Sequence, residues 1–308
     1  MGYYLNKVSY FLLLLIPPLL ISGPFLPDLT ITYCCIYFLF LVSFRELLLK
    51  FLIKYKIFKF YLIFILIITI SSIFSDYILV SLKSSLLHIR FIIFCLIYYY
   101  LINYIKNFIK FQQIILLLTL VFLNFDSLYQ LITGFNIIGL KIQEAFIPRP
   151  TSFFGKDLKL GNFLFIFNLL SLVIAIYTNK FLKITLFVNL FSWFMIFFSG
   201  ERTSLILYSL SIFIILIIFC LDKKFLKENK YKISIVFLII FVFVANNGFS
   251  KKMYVSKMII NPLKELSIIG DTEFMPAHIN HFKASIYIFK ENLIIGSRPN
   301  TFSKKYKK

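Results

Sequence analysis

Arg149, in IPRPTSFFGKDLKLG, and Arg202, in FFSGERTSLILYSL, are the residues whose chemistry is most pointed. A guanidinium is a planar fork that binds phosphate oxygens two at a time, so two arginines on one face can clamp a diphosphate. Both lie at the ends of apolar runs, at the water–lipid boundary, where a lipid-linked diphosphate presents its head group. In a group transfer from such a donor, negative charge builds on the leaving diphosphate. Fixed cations there stabilise the transition state more than the ground state. Glu201 is adjacent to Arg202 and placed to orient it, and Arg90, in SLLHIRFIIFCLIYYY, adds to the same positive field from lower in the membrane. Asp126 and Gln130, in NFDSLYQLITG, are spaced to support the cavity. His281 is the candidate base, since an imidazole of ordinary pKa ~6.5 can take a proton from an acceptor hydroxyl. No Asp-x-Asp-like cluster stands on this face, so arginine is expected in place of a metal ion, with no cofactor.

Plainer readings stand beside these. Arg90 can snorkel or pair with Asp126, and Glu201 can simply neutralise Arg202. Asp126 with Gln130 can be a helix-end hydrogen-bond set, and Arg149 between two prolines an ordinary loop residue. His88, His278 and His281 taken singly are more often inert than catalytic, and the lysines at 304, 305, 307 and 308 read as a solvated run.

The elements that must position these residues are membrane helices. The 308 residues are 60% hydrophobic, 19% aromatic and only 15% charged, against about 45–50% apolar and 25% charged in a soluble domain. Mean hydropathy is +0.89. The net charge of +20 does not point to nucleic acid, because the lysines fall between apolar runs rather than in a basic soluble domain. The four cysteines, Cys34, Cys35, Cys95 and Cys220, all sit inside apolar runs, which leaves neither a disulfide framework nor zinc spacing. Spanning the hydrocarbon takes about 20 apolar residues as helix. Nine stretches qualify: 8–26, 29–44, 57–75, 85–103, 111–131, 160–178, 183–199, 203–221 and 233–249. The expected fold is an all-α polytopic bundle over 1–249 with an exoplasmic loop at 132–159. The segment 250–308 is expected on the same side. Pro17-Pro18 should kink the first span.

Lysine and arginine set the orientation. The segments 45–59, 104–110, 179–183 and 222–232 carry most of the loop lysines and are expected in the cytoplasm, with the N-terminus. The C-terminus is then expected on the periplasmic side. No P-loop or Gly-rich fingerprint is present, so nucleotide energy is not expected to enter through this chain.

At its polar residues the sequence resembles the O-antigen ligase/polymerase family of bacterial cell envelopes. The marks are NFDSLYQLITGFNIIGL (124–140), RPTSFFGKDLKLGNFL (149–164), SGERTSLILYSL (199–210) and HFKASIYIFKENLIIGSRPNTF (281–302). The resemblance covers most of the chain from Arg90 onward. It implies a helical bundle in the bacterial inner membrane with an enlarged periplasmic loop. It also implies an inverting, metal-independent glycosyl transfer from an undecaprenyl-diphosphate-linked donor to a hydroxyl of lipid A–core (ligase) or of a second lipid-linked repeat (polymerase). Arg149 and Arg202 match the arginines thought to grip the donor's diphosphate. The family's His-Pro-His-Asn-like motif, and the spans after it, are missing, so the resemblance gives His281 no catalytic role. The expectation is a C-terminally truncated member, with 250–308 the start of the large periplasmic loop. Two rivals are a non-catalytic remnant and a lipid-linked glycan transporter or flippase, the latter needing charged residues through the whole bilayer.

Overall fold

A computed structural model of the chain describes residues 2–144, 148–155, 157–221, 276–291 and 301. The expected span at 233–249, the basic loop at 222–232 and most of the segment 250–308 lie outside the described residues. The chain divides into two units. One comprises 1–13, 25–108 and 269–308, and the other 14–24 and 109–268.

The first unit is built from α1 (Gly2–Leu14), α3 (Phe25–Phe40), α4 (Val42–Lys54), α5 (Lys56–Ile73), α6 (Ile78–Leu87), α7 (Ile89–Tyr104) and α12 (Pro276–Glu291). Its buried residues include Leu13, Cys34, Phe38, Phe44, Leu96, Ile97 and Leu101. Phe38, Phe44 and Tyr100 meet edge to face, with centroids 5.5–6.0 Å apart, a geometry aromatic rings prefer. Small residues let α5 and α6 close on each other. Ser72, Ser81 and Ser85 are fully buried, and the Ser81 hydroxyl donates to Ser72 at 3.0 Å.

Two expectations are corrected in this unit. The basic segment 45–59 is helical over most of its length, not a loop. Phe44, Leu47, Leu48 and Phe51 recur at i, i+3, i+4 and i+7 and face inward, while Arg45, Glu46 and Lys50 are exposed, so the lysines mark the outer face of a helix. Arg90 is paired with Asp28 of α3, its Nη2 lying 3.0 and 3.2 Å from the two carboxylate oxygens; Asp126 is not its partner.

The second unit holds α2 (Ile16–Ile21), α8 (Phe108–Thr133), a short antiparallel pair β1 (Gln143–Glu144) and β2 (Pro148–Arg149), α9 (Leu160–Thr178), α10 (Leu182–Ser199) and α11 (Arg202–Leu221). Pro17 and Pro18 do more than kink a first span. They occupy the opening turn of the separate helix α2, where missing N–H groups cost nothing. α8, α9 and α10 match the expected spans to within a few residues, and α11 begins within a residue of the expected apolar stretch 203–221. The apolar core joins Leu116, Leu120 and Leu123 of α8, Leu160 and Leu164 of α9, Met195 and Ile196 of α10 and Tyr208 of α11. On α9 the buried residues Gly161, Leu164, Asn168, Ser171, Leu172 and Ala175 form one stripe. Ile166, Leu170, Val173 and Tyr177 are exposed, as suits a helix with lipid on its other side.

Uncharged polar side chains tie these four helices together inside the unit. Gln113 Nε2 donates to the Ser171 carbonyl at 3.0 Å and to Thr185 Oγ1 at 3.1 Å. Asn189 donates to the Thr185 carbonyl, and the Tyr208 hydroxyl donates to Asn189 Oδ1 at 2.7 Å. Interhelical hydrogen bonds hold such bundles where lipid removes the hydrophobic force between helices.

Among the described residues, four helical segments are long and apolar enough to cross a membrane: Ile78–Tyr104, Phe108–Thr133, Leu160–Thr178 and Leu182–Ser199. A fifth is reached if the bent pair Phe25–Phe40 and Phe44–Phe51 is one span. The protein is a mostly helical membrane protein.

Candidate functional site

Asp126, Gln130, Arg149, Glu201 and Arg202 all fall in the second unit. They lie where the end of α8, the loop 134–159, the start of α9 and the α10–α11 turn are tied together by side chains. Asp126 and Gln130 share one face of the last turns of α8, and both are fully buried. Asp126 accepts the Ile137 N–H at 2.9 Å on one oxygen and the Ser152 hydroxyl on the other. Gln130 Oε1 accepts the N–H groups of Thr151 (2.9 Å) and Ser152 (2.7 Å), and its Nε2 donates to the Leu140 carbonyl at 3.2 Å. Their helix-end role is therefore to clasp the loop that follows.

Asn136 completes the clasp. Its Oδ1 accepts the Leu140 N–H at 2.7 Å, closing a turn in which Gly139 takes φ +86°, and its Nδ2 donates to the Ser152 carbonyl at 3.1 Å. Ser152 thus has its N–H, hydroxyl and carbonyl each engaged by a different side chain, those of Gln130, Asp126 and Asn136. Its φ is +51°. A left-handed conformation is unfavourable for a residue with a Cβ and persists where the surroundings over-determine it. Three buried hydrogen bonds on one residue are such surroundings. They fix the chain three residues beyond Arg149.

Arg149 itself sits in β2, opposite Gln143, and is half-buried. Its side chain lies against Gly200 in the α10–α11 turn. A Cβ placed on Gly200 would meet Arg149 Nε at 3.0 Å, Cδ at 3.3 Å and Cζ at 3.5 Å. Gly200 ends α10 at φ +73°, a conformation glycine adopts without penalty. Glycine is required here twice over, by its φ and by the arginine across it. Arg149 Nε is buried and has no hydrogen-bond partner, so that edge of the guanidinium is spent on packing. Arg202 opens α11, two residues on from Gly200.

Glu201 does more than accompany Arg202. Its two oxygens accept the first N–H groups of α9, from Gly161 at 2.6 Å and from Asn162 at 2.9 Å, and Ser204 Oγ donates to it at 3.3 Å. A carboxylate at a helix N-terminus satisfies orphan donors and meets the positive end of the helix dipole. Gly161 must lack a side chain, because a Cβ there would come within 2.7 Å of Ser199 Oγ and 3.0 Å of Glu201 Cδ. Burial pushes the Glu201 carboxyl above the ordinary glutamate value. The N–H groups of Gly161 and Asn162, the Ser204 hydroxyl and the charge of Arg149 pull the other way, without cancelling it.

Beside this assembly is an open groove of about 580 Å³ lined by Pro18, Ile21, Ser22, Thr119, Phe122, Ile138 and Phe153. Phe153 follows Ser152 directly and packs at a tilt against Phe122 of α8, with ring centroids 5.3 Å apart, so the clasped loop also forms the wall of an apolar recess.

The remaining candidates lie elsewhere. Arg90 belongs to the first unit with its partner Asp28. His281 falls within α12 of that unit, and its side chain lies outside the described residues. Among the described residues, no three His, Cys, Asp or Glu side chains are grouped to hold a metal ion. Ser152, Asn136, Gly161 and Gly200 are structural members of the site that residue type alone does not single out. The Asn136–Gly139 spacing is the one local signal, since Asn and Gly are turn formers. Comparison of the chain with family models, with curated proteins and with solved structures returned no match.

Proposed function

We propose that this protein is a bacterial inner-membrane glycosyltransferase of the O-antigen ligase type. In this reading it moves glycan from undecaprenyl diphosphate to lipid A–core on the periplasmic face, during lipopolysaccharide assembly. The observation that carries the reading is the placing of Arg149 across Gly200, directly before Glu201 and Arg202. Two arginines distant in sequence are thereby brought to one turn, on a backbone stiffened by the Ser152 clasp and the Glu201 cap.

The acceptor oxygen attacks the anomeric carbon from the face opposite the diphosphate. The bond from that carbon to the diphosphate oxygen breaks, its electron pair leaves with the diphosphate, and the acceptor proton passes to a base. Arg149 and Arg202 neutralise the charge that grows on the leaving group. Because such donors are fixed by the fold beforehand, they need no reorganisation during the step. Glu201 keeps the net charge of the turn from becoming repulsive to Arg149 and holds α9 in place. Asp126 and Gln130 set the loop. Arg90 pairs with Asp28 in the first unit, and the clamp is assigned to Arg149 and Arg202, the arginines that the family resemblance matches to the donor's diphosphate. The apolar groove beside Phe153 suits the hydrocarbon portion of a lipid-linked donor.

The topology that goes with this reading has nine spans, a cytoplasmic N-terminus and the loop 132–159 and segment 250–308 in the periplasm. A polymerase joining lipid-linked repeats would use the same clamp on a different acceptor. A lipopolysaccharide gel from a deletion strain, with and without the gene restored, separates them. Loss of the whole ladder with polymer left on undecaprenyl diphosphate supports the ligase. Core bearing a single repeat supports the polymerase. An unchanged ladder counts against both.

A further inference from the structure

α12 (Pro276–Glu291) is a helix of a different kind from the spans. Its described residues, PAHINHFKASIYIFKE, carry two lysines and a glutamate, and it is absent from the apolar helices, long or short, among the described residues. Yet it leaves large apolar side chains uncovered. Ile286 is 55% exposed, Tyr287 66% and Phe289 56%, whereas Ile288 is 6% exposed.

The arrangement of these residues is regular. Lys283, Ile286, Tyr287 and Lys290 follow i, i+3, i+4 and i+7 and so share one stripe, all of them exposed. Phe289 lies three residues beyond Ile286, on the flank of that stripe. Ile288 points the opposite way into the unit, with Ala284 one turn before it half-buried. The helix is therefore anchored by one face and presents the other. The presented face has an apolar pair and a phenyl ring at its centre and a lysine at each end.

A wholly aqueous setting does not suit that face, because three large apolar side chains would stay in water. The hydrocarbon core does not suit it either, because two ammonium groups would be buried without partners. The boundary between them suits both. Apolar side chains enter the acyl region, the tyrosine ring takes its usual place at head-group depth, and the lysine stems run up so that their ammonium groups reach the phosphates. We propose that α12 is an interfacial helix, lying along the membrane surface with Ile286, Tyr287 and Phe289 in the upper acyl region and Lys283 and Lys290 against lipid phosphates. It then ties the segment around residues 276–291 to the bilayer surface.

The test uses the full chain in lipid nanodiscs. Phe289→Trp adds a reporter, and the chain's single native tryptophan, Trp193, is subtracted by measuring the unaltered protein in parallel. Lipids brominated near the head group should remove about half of the added emission, and lipids brominated near the bilayer centre much less. A second protein carries Lys283→Glu and Lys290→Glu as well. Both positions are exposed, so the buried face is untouched. It should lose most of the shallow quenching. Emission from the added tryptophan that no brominated lipid quenches would overturn the proposal. So would stronger quenching from the bilayer centre, or quenching unchanged by the double charge reversal.

Discussion

Replacing Glu201 by alanine removes the cap of α9 from a neighbouring turn, and the structure sets the size of the effect. Gly161 is buried, so its N–H would be left without a partner, a loss of about 1–3 kcal/mol. Asn162 is exposed, and water can replace its bond at a cost of roughly 0.5–1 kcal/mol. Against this, burial already disfavours the charged carboxylate, so its removal returns part of the loss. The net destabilisation is about 1–2 kcal/mol. Glu201→Gln keeps one acceptor oxygen for Gly161 and should cost under about 1 kcal/mol. Equilibrium unfolding by titration with a denaturing detergent in mixed micelles gives both values. The sign of the pH dependence follows from the raised pKa. The folded protein holds this proton more tightly than the unfolded chain, so stability falls as pH rises from about 4.3 through the folded value, then levels. Glu201→Gln should abolish that fall. An alanine variant as stable as the parent would refute the capping role, and a stability that rises with pH in the parent but not in the glutamine variant would refute the dominance of burial over the hydrogen bonds of the cap.

Other positions give sharper contrasts. Ser152→Ala should cost more than Ser152→Gly by about 1 kcal/mol in the same unfolding assay, because both lose the bond to Asp126 but only glycine relieves the left-handed φ. Equal losses would count against strain at this residue. Gly200→Ala should destabilise by roughly 1–2 kcal/mol from its φ alone. It should also lower transfer in a lipopolysaccharide ladder assay more than its stability loss explains, since its methyl displaces Arg149. Asp28→Asn, by contrast, should change stability by under about 1 kcal/mol, as Asp28 is 53% exposed and such pairs are screened.

How much of this was legible in the sequence varies along the chain. α9, α10 and the start of α11 could be bounded almost to the residue, because these apolar runs are closed by Gly, Asn, Lys or Glu. The segment 45–59 was not. Its lysines read as a solvated connector, and the inward stripe of Phe44, Leu47, Leu48 and Phe51 shows only once the helix is drawn. At the first expected span the chain breaks at Leu15, and the sequence left open whether the two prolines would kink one helix or open a second, since they are tolerated equally in both. At the site, the residue types of Arg149, Glu201 and Arg202 were conspicuous, but the use of Glu201 was not. A carboxylate beside an arginine suggests a pair, whereas its strongest hydrogen bonds run to amides forty residues earlier. Ser152 carries no signal for a left-handed backbone. That conformation is imposed by Asp126, Gln130 and Asn136, and tertiary contacts of that kind leave no local pattern.

The central claim is that Arg149 and Arg202 grip a diphosphate. Its most direct measurement is the binding of undecaprenyl diphosphate to the full chain in nanodiscs, beside Arg149→Ala and Arg202→Ala, with undecaprenyl monophosphate as the comparison. Loss of a charge-assisted contact worth about 1.5–3 kcal/mol predicts a ten- to hundredfold weakening of diphosphate binding in each variant, and a smaller change for the monophosphate. Undiminished diphosphate binding in both variants would contradict it.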